Sequence, residues 1–185
     1  MGTLQVDNIK STTIAENEAS PITLSGNNAN LTNSVTFPTG HILQVKTGTL
    51  TSNFNSTTSG AWLDTGLKVA ITPSSTSSKV LIMLSCGISP GTGGHNIHLA
   101  LLRGSTAIGD RDFGSTIDTF AFTNQGANSD VVTVGQHFVD SPSSVSEQTY
   151  KIQMSVSSGT GAIGRRADAD SRGMGASLTA MEILG

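Results

Sequence analysis

Lys79-Val-Leu-Ile-Met-Leu-Ser-Cys-Gly-Ile88 is the stretch on which the fold turns. Its apolar run, Val80 to Ile88, lies between two blocks of turn-forming residues, Thr72-Pro-Ser-Ser-Thr-Ser-Ser78 and Pro90-Gly-Thr-Gly-Gly94. A short apolar run bounded in this way reads as a buried β-strand. Within it Val80-Leu-Ile-Met-Leu84 is apolar at every position, so both faces of the strand call for cover. One face of a sandwich strand meets the core. The other is covered only when something packs outside it, as a second subunit would.

Working outward, residues 41–51, 62–72, 95–103, 106–113, 131–140, 149–157 and 176–184 read as further strands. Arg103-Gly-Ser-Thr106 has the form of a tight hairpin turn, and Asp140-Ser-Pro-Ser-Ser144 is another separator. About eight short strands at this spacing, with no helical periodicity between them, predict an all-β fold. The expectation is an antiparallel β-sandwich of jelly-roll type over residues 41–185.

Composition agrees. Of 185 residues, 21 are glycine, 12% are charged and 4% are aromatic, a balance that disfavours long helices. The net charge of -3, without a basic block, argues against nucleic acid as a partner, because phosphate neutralisation needs clustered Lys and Arg. No segment has the length of apolar sequence that spans a bilayer, so membrane insertion is not expected. The amino terminus lacks the basic-then-apolar pattern of a secretory signal. Cys86 is the single cysteine, which excludes a disulfide framework and a CxxC metal site; it reads as a small buried hydrophobe.

Residues 1–40 read differently. Leu4-Gln-Val6, Pro21-Ile-Thr-Leu24 and Ser34-Val-Thr-Phe37 alternate apolar and polar residues, with turn-rich Asn27-Asn-Ala-Asn30 and Phe37-Pro-Thr-Gly40 between or after them. Each strand offers two apolar side chains, too few to offset an ordering cost of about 1–2 kcal/mol per residue. Such a segment is either disordered or pairs with identical copies or a host surface. Leu4, Val6, Ile9, Ile22 and Leu24 are the candidate attachment residues.

Motifs for catalysis are decoys. Gly159-Thr-Gly-Ala-Ile-Gly164 matches the dinucleotide fingerprint, but Arg165-Arg-Ala-Asp-Ala-Asp-Ser-Arg-Gly173 follows it without an apolar helical stripe, so it reads as a flexible loop. His95 and His98, three apart on a strand, point to opposite faces and cannot chelate together. Trp62 and Tyr150 each precede or begin an apolar strand and read as core. No cofactor or metal is expected, and no enzyme activity.

The long connection from Asp110 to Asp130 mixes charges, aromatics and amides, and long connections in small domains often carry function. With 159–175 it is the expected contact surface. The candidates are Asp110, Arg111, Asp112, Phe120, Asn124, Arg165, Arg166, Asp168, Asp170 and Arg172, a set suited to glycan hydroxyls.

Several stretches carry a resemblance in order along nearly the whole chain. They are Thr3-Leu-Gln-Val-Asp-Asn-Ile-Lys-Ser11, Leu63-Asp-Thr-Gly-Leu67, Ile71-Thr-Pro-Ser-Ser-Thr-Ser-Ser-Lys-Val-Leu-Ile82, Leu101-Leu-Arg-Gly-Ser-Thr106, Asp140-Ser-Pro142, Thr149-Tyr-Lys-Ile-Gln153 and Met181-Glu-Ile-Leu-Gly185. Together they resemble tail-fibre-like structural proteins of marine bacteriophages of the cyanophage type. The resemblance implies a virion protein, assembled in the host cytoplasm as a homotrimer, with residues 1–40 joined to other virion proteins and a distal sandwich adsorbing to bacterial surface glycan. It supplies no catalytic residues. The shortness of the leader keeps a capsid-decorating, cement or head-fibre role open, and an enzyme acting on surface polysaccharide is a minor alternative.

Overall fold

The structure, a computed structural model, describes residues 22–25, 28–31, 37–91, 95–109, 119–125, 130–167 and 173–185. The chain divides into two units, Met1–Pro38 and Thr39–Gly185. In the first, β1 (Ile22–Ser25) and β2 (Asn28–Leu31) pair antiparallel, with Ile22 opposite Leu31 and Ser25 opposite Asn28. The polar Asn27–Asn30 tract had the composition of a turn. Pairing with β1 nonetheless supplies partners for the backbone donors and acceptors of its residues 28–30, and that overrides the weak propensity of asparagine.

The second unit is built from β3 (Ile42–Thr49), β4 (Phe54–Ser56), β5 (Leu63–Ile71), β6 (Lys79–Pro90), β7 (His95–Arg103), β8 (Thr106–Ile108), β9 (Ala121–Gln125), β10 (Val132–Asp140), β11 (Gln148–Val156), β12 (Gly161–Ile163) and β13 (Ala176–Ile183). No helix occurs among the described residues. The long strands form two sheets. The first runs β3-β13-β6-β10, with β12 on the β13 side of β6 and β4 beyond it. The second runs β5-β11-β7-β9, with β8 beside β9 along β7. Every strand-to-strand ladder is antiparallel. Successive long strands cross between the sheets, except where β7, β8 and β9 stay in the second; this is the two-sheet, four-by-four jelly roll.

Period-two alternation places the core. Strand β5 buries Leu67, Val69 and Ile71 and exposes the residues between, and β13 alternates buried Ala176, Leu178 and Ala180 with half-buried neighbours. Opposite them β6 contributes Val80, Ile82, Leu84, Cys86 and Ile88, while β7 and β11 add Ile97, Leu99, Leu101, Ile152 and Met154. Cys86 is 1% exposed, as a small core hydrophobe should be. Gly48 is needed where edge strand β3 meets edge strand β5: a Cβ there would fall on the Lys68 carbonyl oxygen.

Strand β4 was not expected, and three further elements of this unit depart from the sequence reading. Strand β9 lies inside what read as one long loop, because the open edge of β7 at residues 95–99 takes it as a partner. Strand β12 lies inside the glycine-rich fingerprint, all three of its residues buried between β6 and β4, so that stretch is not a flexible loop. Glycine conformations bound it, with Gly159 at φ 66° and Gly164 at φ 77°. The strand expected over 106–113 ends at Ile108, where Gly109 adopts φ 76°. The hairpin before it is as read: Arg103 pairs with Thr106 around Gly104 at φ 60°.

Candidate functional site

Alternation also decides what the second sheet shows to solvent. With Ile97, Leu99 and Leu101 inward, β7 turns Asn96, His98 and Ala100 outward. Across the ladder His98 faces Phe122 of β9 on one side and Ser155 of β11 on the other. Trp62, just before β5, completes a row of rings. Its centroid is 6.5 Å from that of His98 at an interplanar angle of 70°, and His98 is 5.1 Å from Phe122 at 43°. Trp62 is 36% and Phe122 53% exposed, so the sequence reading of Trp62 as core is corrected. The reason is position: the residue lies one place before the alternating strand, on its outward parity. Tyr150, given the same reading, is fully buried.

His98 itself is 9% exposed, and its Nδ1 is buried without a hydrogen-bond partner among the described residues. Burial holds the imidazole below the ordinary histidine value of 6.5. The ring is therefore a neutral spacer between two exposed aromatics.

Polar groups flank the row on both sides. Toward one end of the strands Asn124 Nδ2 donates to Asn96 Oδ1. Toward the other, Gln153 Nε2 and Lys151 Nζ donate to the two Asp64 carboxylate oxygens at 2.7 and 2.8 Å. The Lys151 bond, then that of Gln153, keeps the Asp64 carboxyl below the usual carboxylate range.

The outer face of the first sheet is different. Val45 of β3, Met181 of β13, Leu81 of β6 and Val139 of β10 lie opposite one another in register, one apolar residue from each of four adjacent strands. Val45 is 52% and Val139 48% exposed. The next row holds Thr47, Thr179, Met83 and His137, with Met83 44% exposed. Among the described residues, the apolar outer side chains of β6 are thus only half-covered at Leu81 and exposed at Met83.

Of the candidate contact residues, Asn124 lies on the second sheet beside the aromatic row. Phe120 is 8% exposed and belongs to the core cluster, because its backbone N–H is fixed on the Leu99 carbonyl at the edge of β7. Arg165 and Arg166 are half-buried and follow β12 in the first sheet, where Arg165 Nε donates to the Arg166 carbonyl. The described members of the two stretches therefore attach to different sheets. Asp110, Arg111, Asp112, Asp168, Asp170 and Arg172 lie outside the described residues, as do Leu4, Val6 and Ile9. Ile22 and Leu24 are positions of β1.

The ring row was not legible as a site because its members are 60 positions apart in sequence at the extremes. The one available signal was that Trp62 and Phe122 are rare residue types here, one tryptophan and six phenylalanines, next to outward strand positions.

No protein-family model and no curated protein matches this sequence. Among solved structures the chain is similar to particles derived from infectious bursal virus with T=1 symmetry, at 12% identity and TM-score 0.46, over 89% of this chain and 40% of that one. It is similar also to the infectious bursal disease virus Gx strain at TM-score 0.44 and to the T13 particle of that virus at 0.42, both at 12% identity. The chain spans about 40% of the length of these proteins.

Proposed function

We propose that this chain is a structural protein of a bacteriophage virion, a short trimeric tail fibre or fibre tip. It joins the particle through residues 1–40, takes part in recognising the host surface, and works by binding rather than by catalysis. The observation that carries this reading is the apolar line Val45–Met181–Leu81–Val139 across the outer face of the first sheet. An antiparallel sheet needs only one buried face, and an apolar row on the other, exposed at Val45 and Val139 and half-buried at Met181 and Leu81, suits cover by a partner. Packed against copies of itself, that face would lose apolar area worth about 25 cal/mol per Å². The ordered likeness to marine phage fibre proteins supports the virion setting, and the division into two units supports an attachment segment carrying a presenting domain.

Light scattering of the purified full chain tests the assembly. A trimer is expected, and a stable monomer at micromolar concentration would overturn it. Antibody labelling of virions tests the place: tail labelling is expected, and labelling across the capsid lattice would transfer the chain to the decoration or cement class. Purified protein should also compete with phage for adsorption to host cells.

A further inference from the structure

We infer that the Trp62–His98–Phe122 row on the second sheet is a binding site for a neutral saccharide. The inference deepens the host-surface part of the proposed function by naming a ligand class and a surface. It does not depend on the trimer or on where the chain sits in the virion.

The first ground is exposure. The chain has one tryptophan, one tyrosine and six phenylalanines, and two of these eight meet on a single sheet face with substantial parts of their rings in water. The core of this sandwich is mostly aliphatic, and its aromatic members, Tyr150 and Phe120, are buried apart from these two exposed rings. Their faces offer flat, electron-rich apolar area. The C–H bonds on one side of a pyranose ring carry partial positive charge and stack on such a face.

The second ground is His98. A buried ring nitrogen with no partner costs on the order of 1–3 kcal/mol, and the sheet gains nothing from it that an apolar residue would not give. What the imidazole does provide is a flat, uncharged ring joining Trp62 to Phe122 in one strip.

The third ground is the rim. A sugar stacked on the strip directs its hydroxyls sideways along the strands. Residues two apart on a strand are about 6.7 Å apart, so those hydroxyls meet the Asn96–Asn124 pair on one flank and Gln153 on the other. These amides are already held by bonds within the protein, so little side-chain freedom is lost on binding.

Charge selects among flat ligands. A nucleotide would also stack, but its phosphate would approach the Asp64 carboxylate; of the two cations that act on that carboxylate, Lys151 is paired with it and Lys68 lies opposite Lys151, further along the strands from the rings. A folded protein partner calls for some 20–30 residues a side, whereas this strip is three rings with an amide rim. A neutral sugar matches both the area and the charge.

Trp62 is the only tryptophan, so its emission reports occupancy directly. The full chain would be titrated with neutral hexoses and their oligomers and with polysaccharide extracted from the host envelope. A saturable change in emission is expected, with saturation-transfer NMR placing the contact on sugar ring protons. Phe122→Ala, at an exposed position, should weaken binding about tenfold, in line with losing one stacking partner. Phe122→Tyr should retain it, and Asn124→Ala should weaken it with an unchanged near-ultraviolet spectrum. The inference is overturned if no saccharide in the panel gives a saturable change, if the change persists undiminished in Phe122→Ala, or if only a protein component of the envelope produces it. A trimer that binds no sugar would leave the assembly proposal intact and remove this one. A monomer that binds sugar would do the reverse.

Discussion

Tyr150 donates its phenolic hydrogen to Asp140 Oδ2 at 2.7 Å, although the two residues belong to opposite sheets. Asp140 ends β10 in the first sheet. Tyr150 pairs with Arg103 in the second, and Arg103 Nη1 spans both Asp140 oxygens at 2.9 and 2.7 Å. Burial first, and then the bond to Asp140, hold the Tyr150 phenol well above its usual range, so it remains a donor throughout the working pH. The cluster closes one end of the sandwich with a polar clamp that spans the two layers.

Removing the phenol oxygen leaves Asp140 with Arg103, so Tyr150→Phe should cost only about 1–1.5 kcal/mol in urea unfolding. Asp140→Ala strands a fully buried phenol hydroxyl and releases Arg103, and should cost about 3 kcal/mol. Equal losses in the two variants would show that the clamp is not organised around the carboxylate.

Glu182 forms a second knot. It is fully buried and carries no cationic partner among the described residues; instead Gln44 Nε2, the Ser74 backbone N–H, Ser74 Oγ and Ser78 Oγ donate to it at 2.6–2.8 Å. Burial pushes this carboxyl up, and the hydrogen bonds together outweigh it, leaving the folded value below 4.5. A depressed carboxyl binds fewer protons folded than unfolded. Its stabilisation is therefore complete above 4.5 and is lost as pH falls through and below that value. Glu182→Gln should be less stable at neutral pH and should show a shallower loss between about pH 5 and 3. Denaturant midpoints across that window read both effects.

Much of this was legible in the sequence, for a physical reason. Strands β5 and β13 bury alternate residues against the other sheet, so burial wrote its period of two into residues 63–71 and 176–183, while β6 was legible as an unbroken apolar run between turn-forming blocks. Strands β4, β9 and β12 are three to five residues long and are held by the edges of longer neighbours, so their own residues carry little pattern. Glu182 and Asp140 carried no local sign of burial, because their partners come from positions up to 138 residues away. The aromatic row was hidden in the same way. It is a product of register between β7, β9 and the start of β5, and no local spacing records it.

Cys86 lies among the core side chains of β6, and burial pushes its thiol up to about 12. Thiolate is the reactive form, so the native protein should resist alkylation and disulfide exchange at neutral pH. Labelling should follow the unfolding transition. Cys86→Ala should be tolerated, whereas Cys86→Ser buries a hydroxyl among aliphatic groups and should cost about 2 kcal/mol. Rapid labelling under fully native conditions would contradict this placement.

The apolar line of the first sheet makes a sharper prediction than oligomeric state alone. Val139 and Met83 are 48% and 44% exposed, so Val139→Glu with Met83→Glu should fold as a single chain. Placed on an interface, two buried carboxylates per chain would instead oppose association strongly. Light scattering should give monomer for the double variant and trimer for the parent, with matching far-ultraviolet spectra. Lys68→Glu, at an exposed position of β5 in the other sheet, provides the control and should leave assembly unchanged.

His98 ties the aromatic row to pH. Its imidazole is held below 6.5 by burial, so the unfolded chain takes up a proton at higher pH than the folded one does. With more protons bound in the unfolded state, stability rises with pH across this interval and falls as pH drops from 7 through 6.5 and on toward the lowered folded value. Below that value the effect levels off. His98→Phe keeps a flat ring between Trp62 and Phe122 but cannot be protonated, so the drop between about pH 7 and 5 should shrink in this variant. Its tryptophan emission should likewise lose the acid-induced change expected when His98 becomes charged beside Trp62. An identical pH profile in parent and variant would mean that another group governs stability in that range.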